Sequence, residues 1–380
     1  MDLDYRNNST KMDRRFIFDW PGLNYKPRDA VVYRWMPAFY YDYETSDFSP
    51  GLKINKSYGH YENTNFYSYP SSNSKKVYWH INGWRQAVNY FPRTKFYFWG
   101  FNKPGVEEYG LEIEKKWNRV YGRTPTQTFS GGFYVQPNYD SLRAINLGYN
   151  PNGRLAVGYL DWSSSVGEVD LNLNAASTLG DYSTWNFHRL TALSTFKSKK
   201  IYGVRTFQRL IAGKIWSNDQ IQIPGQEGYN IEGNSSNDLL RKNYLVDQFY
   251  GSFDLFNHYH MPGEGNIRGF VNSSQRGADA MVSSSTEFVA DKELFENRLN
   301  ISFSIFADAG IFWDKAAYQP LYPNRVFDRY LGNVGFGTRL NTKLFEKELF
   351  LRFDVPAYIF NDGNSEINFH NWIFSFQRSI

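Results

Sequence analysis

The residues best suited to a specific interaction cluster in the last third of the chain. Gly263-Glu264-Gly265-Asn266-Ile267-Arg268-Gly269-Phe270 sits in a long Gly-rich connection at 258–280, and Phe306-Ala307-Asp308-Ala309-Gly310 follows in the second strand beyond it. By parity Asp308 shares a face with Ser302, Ser304 and Phe306, opposite Ile305 and Ile311. A carboxylate enclosed on such a face requires a cation, and arginine offers a planar fork that matches it bidentately. Arg268 is the candidate cation, although in isolation it reads as a solvated loop arginine.

Other chemistries find less support. His258 and His260 alternate on one face and could hold a metal with Glu264, but the spacing fixes no third ligand, and polar loop residues are the plainer reading. Neighbours such as Glu107 and Glu108 point to opposite faces of a strand and cannot share a substrate. The sequence has no His-Glu-x-x-His, no Gly-x-Ser-x-Gly elbow and no phosphate-cradling loop ending in Lys-Ser/Thr. With no Cys, thiolate zinc sites, cysteine nucleophiles and disulfides are excluded. The expectation is a protein that is not an enzyme, with no catalytic residue, metal site or cofactor.

The elements that must position these residues are strands. Val169, Leu171, Leu173 and Ala175 alternate with Asp170, Asn172 and Asn174; Leu299, Ile301, Phe303 and Ile305 alternate with Asn300, Ser302 and Ser304. Val334, Phe336, Thr338 and Leu340 form one face against Gly335, Gly337 and Arg339, and Leu349, Leu351, Phe353 and Val355 form one against Arg352 and Asp354. Such period-two patterns mark half-buried antiparallel strands, whereas helical spacing is scarce. The patterns predict about sixteen strands of roughly 8–14 residues. Eleven precede residue 280, and five follow near 281–290, 299–313, 332–343, 346–355 and 369–379. Turn signals are Asn82-Gly83, Gly131-Gly132, Asp362-Gly363 and Asn152-Gly153, the last joining Ala144–Tyr149 to Arg154–Leu160. By strand parity, 217–244 is a periplasmic turn, though long for one.

Composition decides the environment of these strands. The 380 residues are 19% aromatic (11 Trp, 29 Tyr, 32 Phe), yet only 41% are hydrophobic. The polar faces carry Ser, Asn and Gly rather than the Lys and Glu of a solvated surface, while the apolar faces carry Leu, Phe, Tyr and Trp. That is the pattern of a transmembrane β-barrel, with apolar residues against lipid and small polar ones in the lumen. The run Phe96-Tyr97-Phe98-Trp99 reads as girdle and lipid-facing residues. A net charge of +4 gives no basic field suited to nucleic acid. The first eight residues are polar, so no signal peptide is read there.

The Ile-Arg-Gly-Phe tip at 267–270 and the Phe-x-Asp-x-Gly strand at 306–310 together resemble the bacterial surface antigen superfamily of outer-membrane barrels. Barrel-assembly factors and two-partner-secretion transporters belong to it. The resemblance is clear over 245–380 and diffuse before that. It implies a sixteen-stranded barrel whose sixth extracellular loop folds inward, with Arg268 docked on Asp308 and Glu287 as a second partner, and Gly269, Phe270 and Gly310 completing the two motifs. It also implies outer-membrane lipid as the surrounding medium and a polypeptide as substrate. One departure is that no polypeptide-transport-associated repeat is read ahead of the barrel. Residues 1–30 are expected as a lead-in or the end of an upstream domain, and 31–380 as the barrel.

A second likeness lies in Asp19-Trp20-Pro21-Gly22-Leu23-Asn24-Tyr25, followed by Tyr33–Tyr43 and Gly51-Leu52. These resemble the junction in Bacteroidetes proteins that join a gluzincin-type zinc aminopeptidase to a C-terminal barrel; they also read as an ordinary Pro-Gly turn. At the other end Trp372, Phe374, Phe376 and Ile380 share one parity and resemble the terminal signal by which outer-membrane barrels are recognised and inserted. Closure requires this last strand to pair with the first, near Arg34–Tyr43, and the seam is expected to be weak because Pro37 cannot donate to a ladder. Polypeptide transport or insertion, anchoring of a peptidase domain, and a passive pore all fit this scaffold.

Overall fold

A computed structural model describes residues 13–19, 30–42, 47–59, 61–72, 75–87, 91, 93–103, 106–117, 127–137, 153–217, 227–231, 264–270, 278–294, 299–313, 329–344 and 347–378. Within them the period-two segments become strands of a single sheet. In chain order these are β1 (Asp13–Phe18), β2 (Ala30–Asp42), β3 (Asp47–Tyr58), β4 (Glu62–Pro70), β5 (Val77–Gln86), β6 (Thr94–Lys103), β7 (Val106–Trp117), β8 (Gln127–Gln136) and β9 (Leu155–Val166). There follow β10 (Val169–Thr178), β11 (Phe187–Lys197), β12 (Val204–Ser217), β13 (Ala280–Leu294), β14 (Leu299–Trp313), β15 (Arg329–Leu344), β16 (Lys347–Asn361), β17 (Asn364–Ile367) and β18 (Ile373–Arg378).

From β2 to β16 each strand pairs antiparallel with the next. Strands β17 and β18 both pair with β16, at Tyr358–Asn361 and Leu349–Asp354, so they are two pieces of one broken stave. Counted this way, the antiparallel wall among the described residues has sixteen staves, eleven before the long connection and five after it.

The turn signals fare unevenly. Asp362 (φ 50°) and Gly363 (φ 89°) form the β16–β17 hairpin, both in the left-handed conformation that such a tight turn requires. Gly83 and the Gly131-Gly132 pair instead lie inside β5 and β8, where they admit close neighbours: a Cβ on Gly132 would fall 2.3 Å from the Leu111 carbonyl oxygen. The partner of Leu155–Leu160 is Gly131–Gln136 of β8, not Ala144–Tyr149, which lies outside the described residues. The reading of 217–244 as a periplasmic turn falls for the most part outside the described residues; β12, which ends at Ser217, pairs directly with β13, which begins at Ala280.

Alternation sorts the faces cleanly. On β14, Phe303 and Ile305 are 61% and 64% exposed, while Ser304 and Asp308 are 4% and 1% exposed. The outward set continues through Phe288, Val334, Phe336, Leu351 and Phe353. So much exposed apolar area on every face of a water-soluble protein would drive association; against acyl chains it is satisfied. The principal apolar cluster lies inside the wall, where Leu155, Phe187, Ile215 and Phe312 meet Ile231 and Ile267 of the long connection. A bulge in β16, with register shifting between Val334 and Phe336, reverses parity there. Val355, expected beside Leu351 and Phe353, still pairs with the outward Phe336 although it is itself buried; beyond the bulge Tyr358 faces outward and Ile359 is buried.

The seam differs from expectation. Strand β1 lies parallel on the edge of β2, pairing Asp13–Phe18 with Ala30–Trp35, so that edge is taken by a segment read as lead-in rather than by the last strand. No ladder joins β18 to β2 among the described residues. Phe16 stacks on Tyr33 with ring centroids 5.0 Å apart, and Phe18 meets Trp35 edge-on at the same distance. The ladder ends where the Asp19 amide donates to the Trp35 carbonyl at 2.8 Å. The next parallel bond would need an N–H from Pro37, which has none. A six-residue parallel stave and an interrupted last stave make a short seam. Amide hydrogen exchange should therefore be slowest in β13–β15 and fastest in Asp13–Phe18 and Ile373–Arg378; equal protection of both would show that the seam is not weak.

Candidate functional site

The site is built where the long connection meets the inner face of β13–β16. Parity brings Ser283, Ser285 and Glu287 of β13, Ser304, Phe306 and Asp308 of β14, Asn333 of β15, and Arg352 and Asp354 of β16 to that face. The connection enters as a single 3₁₀ turn, Arg268–Phe270, with all three residues buried.

Arg268 is 2% exposed and held from several sides. Its Nε and Nη2 donate to the two oxygens of Asp308 at 2.8 and 2.7 Å, a bidentate fork, and its backbone N–H donates to the same carboxylate at 3.3 Å. Nη1 donates to Asp354 at 3.1 Å. The guanidinium carbon lies 3.5 Å from the centroid of the Phe306 ring, a cation–π contact that strengthens when water is excluded. Burial alone would disfavour the charged form, but Asp308, Asp354 and Glu287 outweigh it and hold the guanidinium above its ordinary pKa.

Glu287 stands at the edge of this grouping. It is 3.8 Å from Arg268 but 2.5 Å from Arg339 and 3.1 Å from Arg352, and Arg352 also donates to Asp354 at 2.7 Å. The backbone of Gly269 is fixed as well: its N–H donates to Asn333 at 3.0 Å, and its carbonyl accepts from Asn371 at 3.0 Å. Asn333 in turn donates to Asp308 at 3.0 Å. Phe270 joins the inner apolar cluster. Gly310 faces Ser283, whose hydroxyl donates to the Gly265 carbonyl; a Cβ at 310 would fall 3.1 Å from the Ser283 side chain and 2.8 Å from the Phe312 ring.

Arg268, Gly269, Phe270, Asp308, Gly310 and, more loosely, Glu287 thus come together. Sequence reasoning missed Asp354, the second carboxylate on Arg268. Its signal was present, since Arg352 and Asp354 are charges on the polar face of an otherwise apolar strand. Phe306 was marked as the head of the Phe-x-Asp-x-Gly motif; Asn333 and Asn371 carried no comparable mark.

At the C-terminus Trp372 stacks on Phe353 at 5.5 Å and neighbours Phe374 at 6.5 Å. Phe376 pairs with Leu351 along β18, and Ile380 lies outside the described residues. His258 and His260 also lie outside them, and Glu264 accepts from the Asn230 N–H at 2.5 Å. The run at 96–99 divides. Phe96 is exposed as expected, but Tyr97 and Trp99 turn inward and donate to Glu114 at 3.1 Å and Glu108 at 2.6 Å. Alternation within a strand makes a uniformly lipid-facing run impossible.

The sequence matches no family model, and no curated protein matches it. In structure it is similar to BamA from Haemophilus ducreyi lacking POTRA domains 1–3, with a TM-score of 0.50 at 10% identity, covering 98% of this chain and 85% of that one. The fold is that of an outer-membrane β-barrel. A likeness to Wzi, an outer-membrane protein involved in group 1 capsule assembly in Escherichia coli and described as a carbohydrate-binding β-barrel, has a TM-score of 0.39 at 10% identity, over 89% of this chain and 81% of that one, too loose to support an inference. The barrel fold and the apolar outer face together put the chain in a bacterial outer membrane.

Removing one partner of a buried, hydrogen-bonded ion pair costs about 3–5 kcal/mol. Arg268→Ala should leave a barrel that forms but loses heat resistance on semi-native gels. Arg268→Lys, which keeps the charge without the fork, should fall between. Wild-type melting in both would show that the pair does not hold the loop.

Proposed function

We propose that this barrel handles polypeptides, taking an extended segment at its seam for insertion into the outer membrane or passage across it, and that it does so without catalysis. The observation that carries this reading is the tie between the inner lock and the seam. The last stave breaks between β17 and β18, and at that break Asn371 reaches inward to the carbonyl of Gly269, the residue next to Arg268. A movement of the connection therefore acts directly on the strand that borders the seam. On the other border β1 covers β2 only as far as Trp35, and the β2 backbone beyond it runs through Pro37 to Asp42. An exposed strand edge is a template for a further strand, and in hydrocarbon its amides must find partners.

Two features support handling at the seam over a permanently open pore. The lumen holds a buried ion-pair network together with an apolar cluster, both contributed partly by the connection. The strands that border the seam are also lightly held, β1 on β2 and β18 on β16 by six residue pairs each.

The test is an assembly assay with the whole protein in liposomes and a urea-denatured small outer-membrane barrel as client. A photo-crosslinker replacing Phe39, an outward residue of β2 beyond β1, should capture the client, and client folding should run faster than in empty liposomes. Unaccelerated folding with no crosslink would overturn the proposal and favour the anchoring role.

A further inference from the structure

The three longest stretches between consecutive strands, β8 to β9, β12 to β13 and β14 to β15, join strand ends at one end of the wall, and every stretch at the other end is shorter. Long loops are extracellular in outer-membrane barrels and short turns periplasmic. Exposed Tyr182 and Trp216 stand at the long-loop end of β9–β12, and such aromatic residues mark the level of the lipid headgroups.

At that level the lipid-facing positions of β9–β12 carry basic side chains. Arg154, on the outward parity of β9, lies over the Tyr182 ring with its guanidinium carbon 5.7 Å from the centroid. His188 of β11 pairs with Ser177 on one side and Trp216 on the other, and its Nδ1 meets the Ser177 hydroxyl at 2.9 Å, which leaves Nε2 for a group from outside. Lys214 of β12 lies diagonally across from His188, a separation of about 7–8 Å, between Leu190 and Ala280. Among the described residues none of the three is paired with a carboxylate, the exposed Asp181 of the adjoining turn included. Elsewhere round the same end the described lipid-facing strand positions are apolar, as at Phe39, Phe48, Val77, Phe133, Tyr330 and Tyr358, or carry the single acid Glu107, which accepts from the Tyr109 hydroxyl. The positive charge is therefore confined to one sector.

A cation facing a bilayer without a partner draws an anion to it. On the extracellular side of a bacterial outer membrane the anions at this depth are the phosphates of a glycolipid. We propose that β9–β12 hold one phosphorylated glycolipid of the outer leaflet. Its phosphates sit on Arg154 and Lys214 with a hydrogen bond from His188, and its acyl chains lie on the exposed Leu160, Leu190 and Leu210 below them. The site lies several staves from either border of the seam and does not depend on polypeptide handling.

The experiment is native mass spectrometry of the whole protein in a nonionic detergent with added hexa-acylated lipid A. Wild type should retain one bis-phosphorylated lipid, whereas Arg154→Gln with Lys214→Gln should need about tenfold or more lipid for the same occupancy. Lipid A stripped of both phosphates should bind wild type as weakly as the intact lipid binds the double variant. Arg85→Gln with Lys292→Gln, which removes lipid-facing cations from the periplasmic end, should bind as wild type does. Undiminished binding by the first double variant or of the stripped lipid would overturn the proposal, and so would an equal loss in the second. Displacement of the lipid by inorganic phosphate would assign the site to a free anion and overturn it too. Heat-modifiable migration checks that each variant folds.

Discussion

In the hydrocarbon of a membrane a backbone amide has no water to turn to, and nearly everything in this molecule follows from that. The only partners for a strand are its neighbours, so the chain must lay stave against stave, as β2 to β16 do without interruption. Once each strand is flanked on both sides, its residues have two directions left, lipid or lumen. The exposed Phe303 and Ile305 and the buried Ser304 and Asp308 are consecutive consequences of one geometry.

The lumen then poses a second problem. A wall whose inner face carries Glu287, Asp308 and Asp354 within reach of one another places negative charges together away from bulk solvent. Water could hydrate them; here arginines do. Arg352 and Arg339 come from the wall itself, but Asp308 takes its fork from the connection, so the wall is electrostatically complete only with the loop inside. A buried ion pair is a poor source of net stability compared with apolar packing, and its value is specificity. One arginine, two carboxylates and the Phe306 ring fix where the loop enters and in what orientation.

The same network reaches the seam. Asn371 stands at the break of the last stave and holds the carbonyl of Gly269, while β1 closes on β2 until Pro37 removes the next donor. Interior charge, connection and border strands are thus in contact through a few bonds, a physical chain by which an event at one could shift the others.

Much of this was legible in the chain. Alternation alone marked the sixteen antiparallel staves and the side on which Asp308 lies, though not β1, because a period of two is a local property that the backbone converts directly into faces. The pairing of Arg268 with Asp308 followed from two motifs joined to a family resemblance, since nothing local tells an arginine which of several carboxylates it will meet. What only the tertiary structure decided were matters of distance along the chain. Asp354 reached Arg268 from eighty-six residues away, and Glu227 found Arg189 on a strand thirty-eight residues earlier in the chain. Glycines that look like turns ran straight where neighbouring strands pressed on them, and a bulge in β16 put Tyr358 outside and Ile359 inside against the alternation that precedes it. Segment 13–18 became a stave because the edge of β2 needed a partner, a need that belongs to the sheet and is written in no single residue.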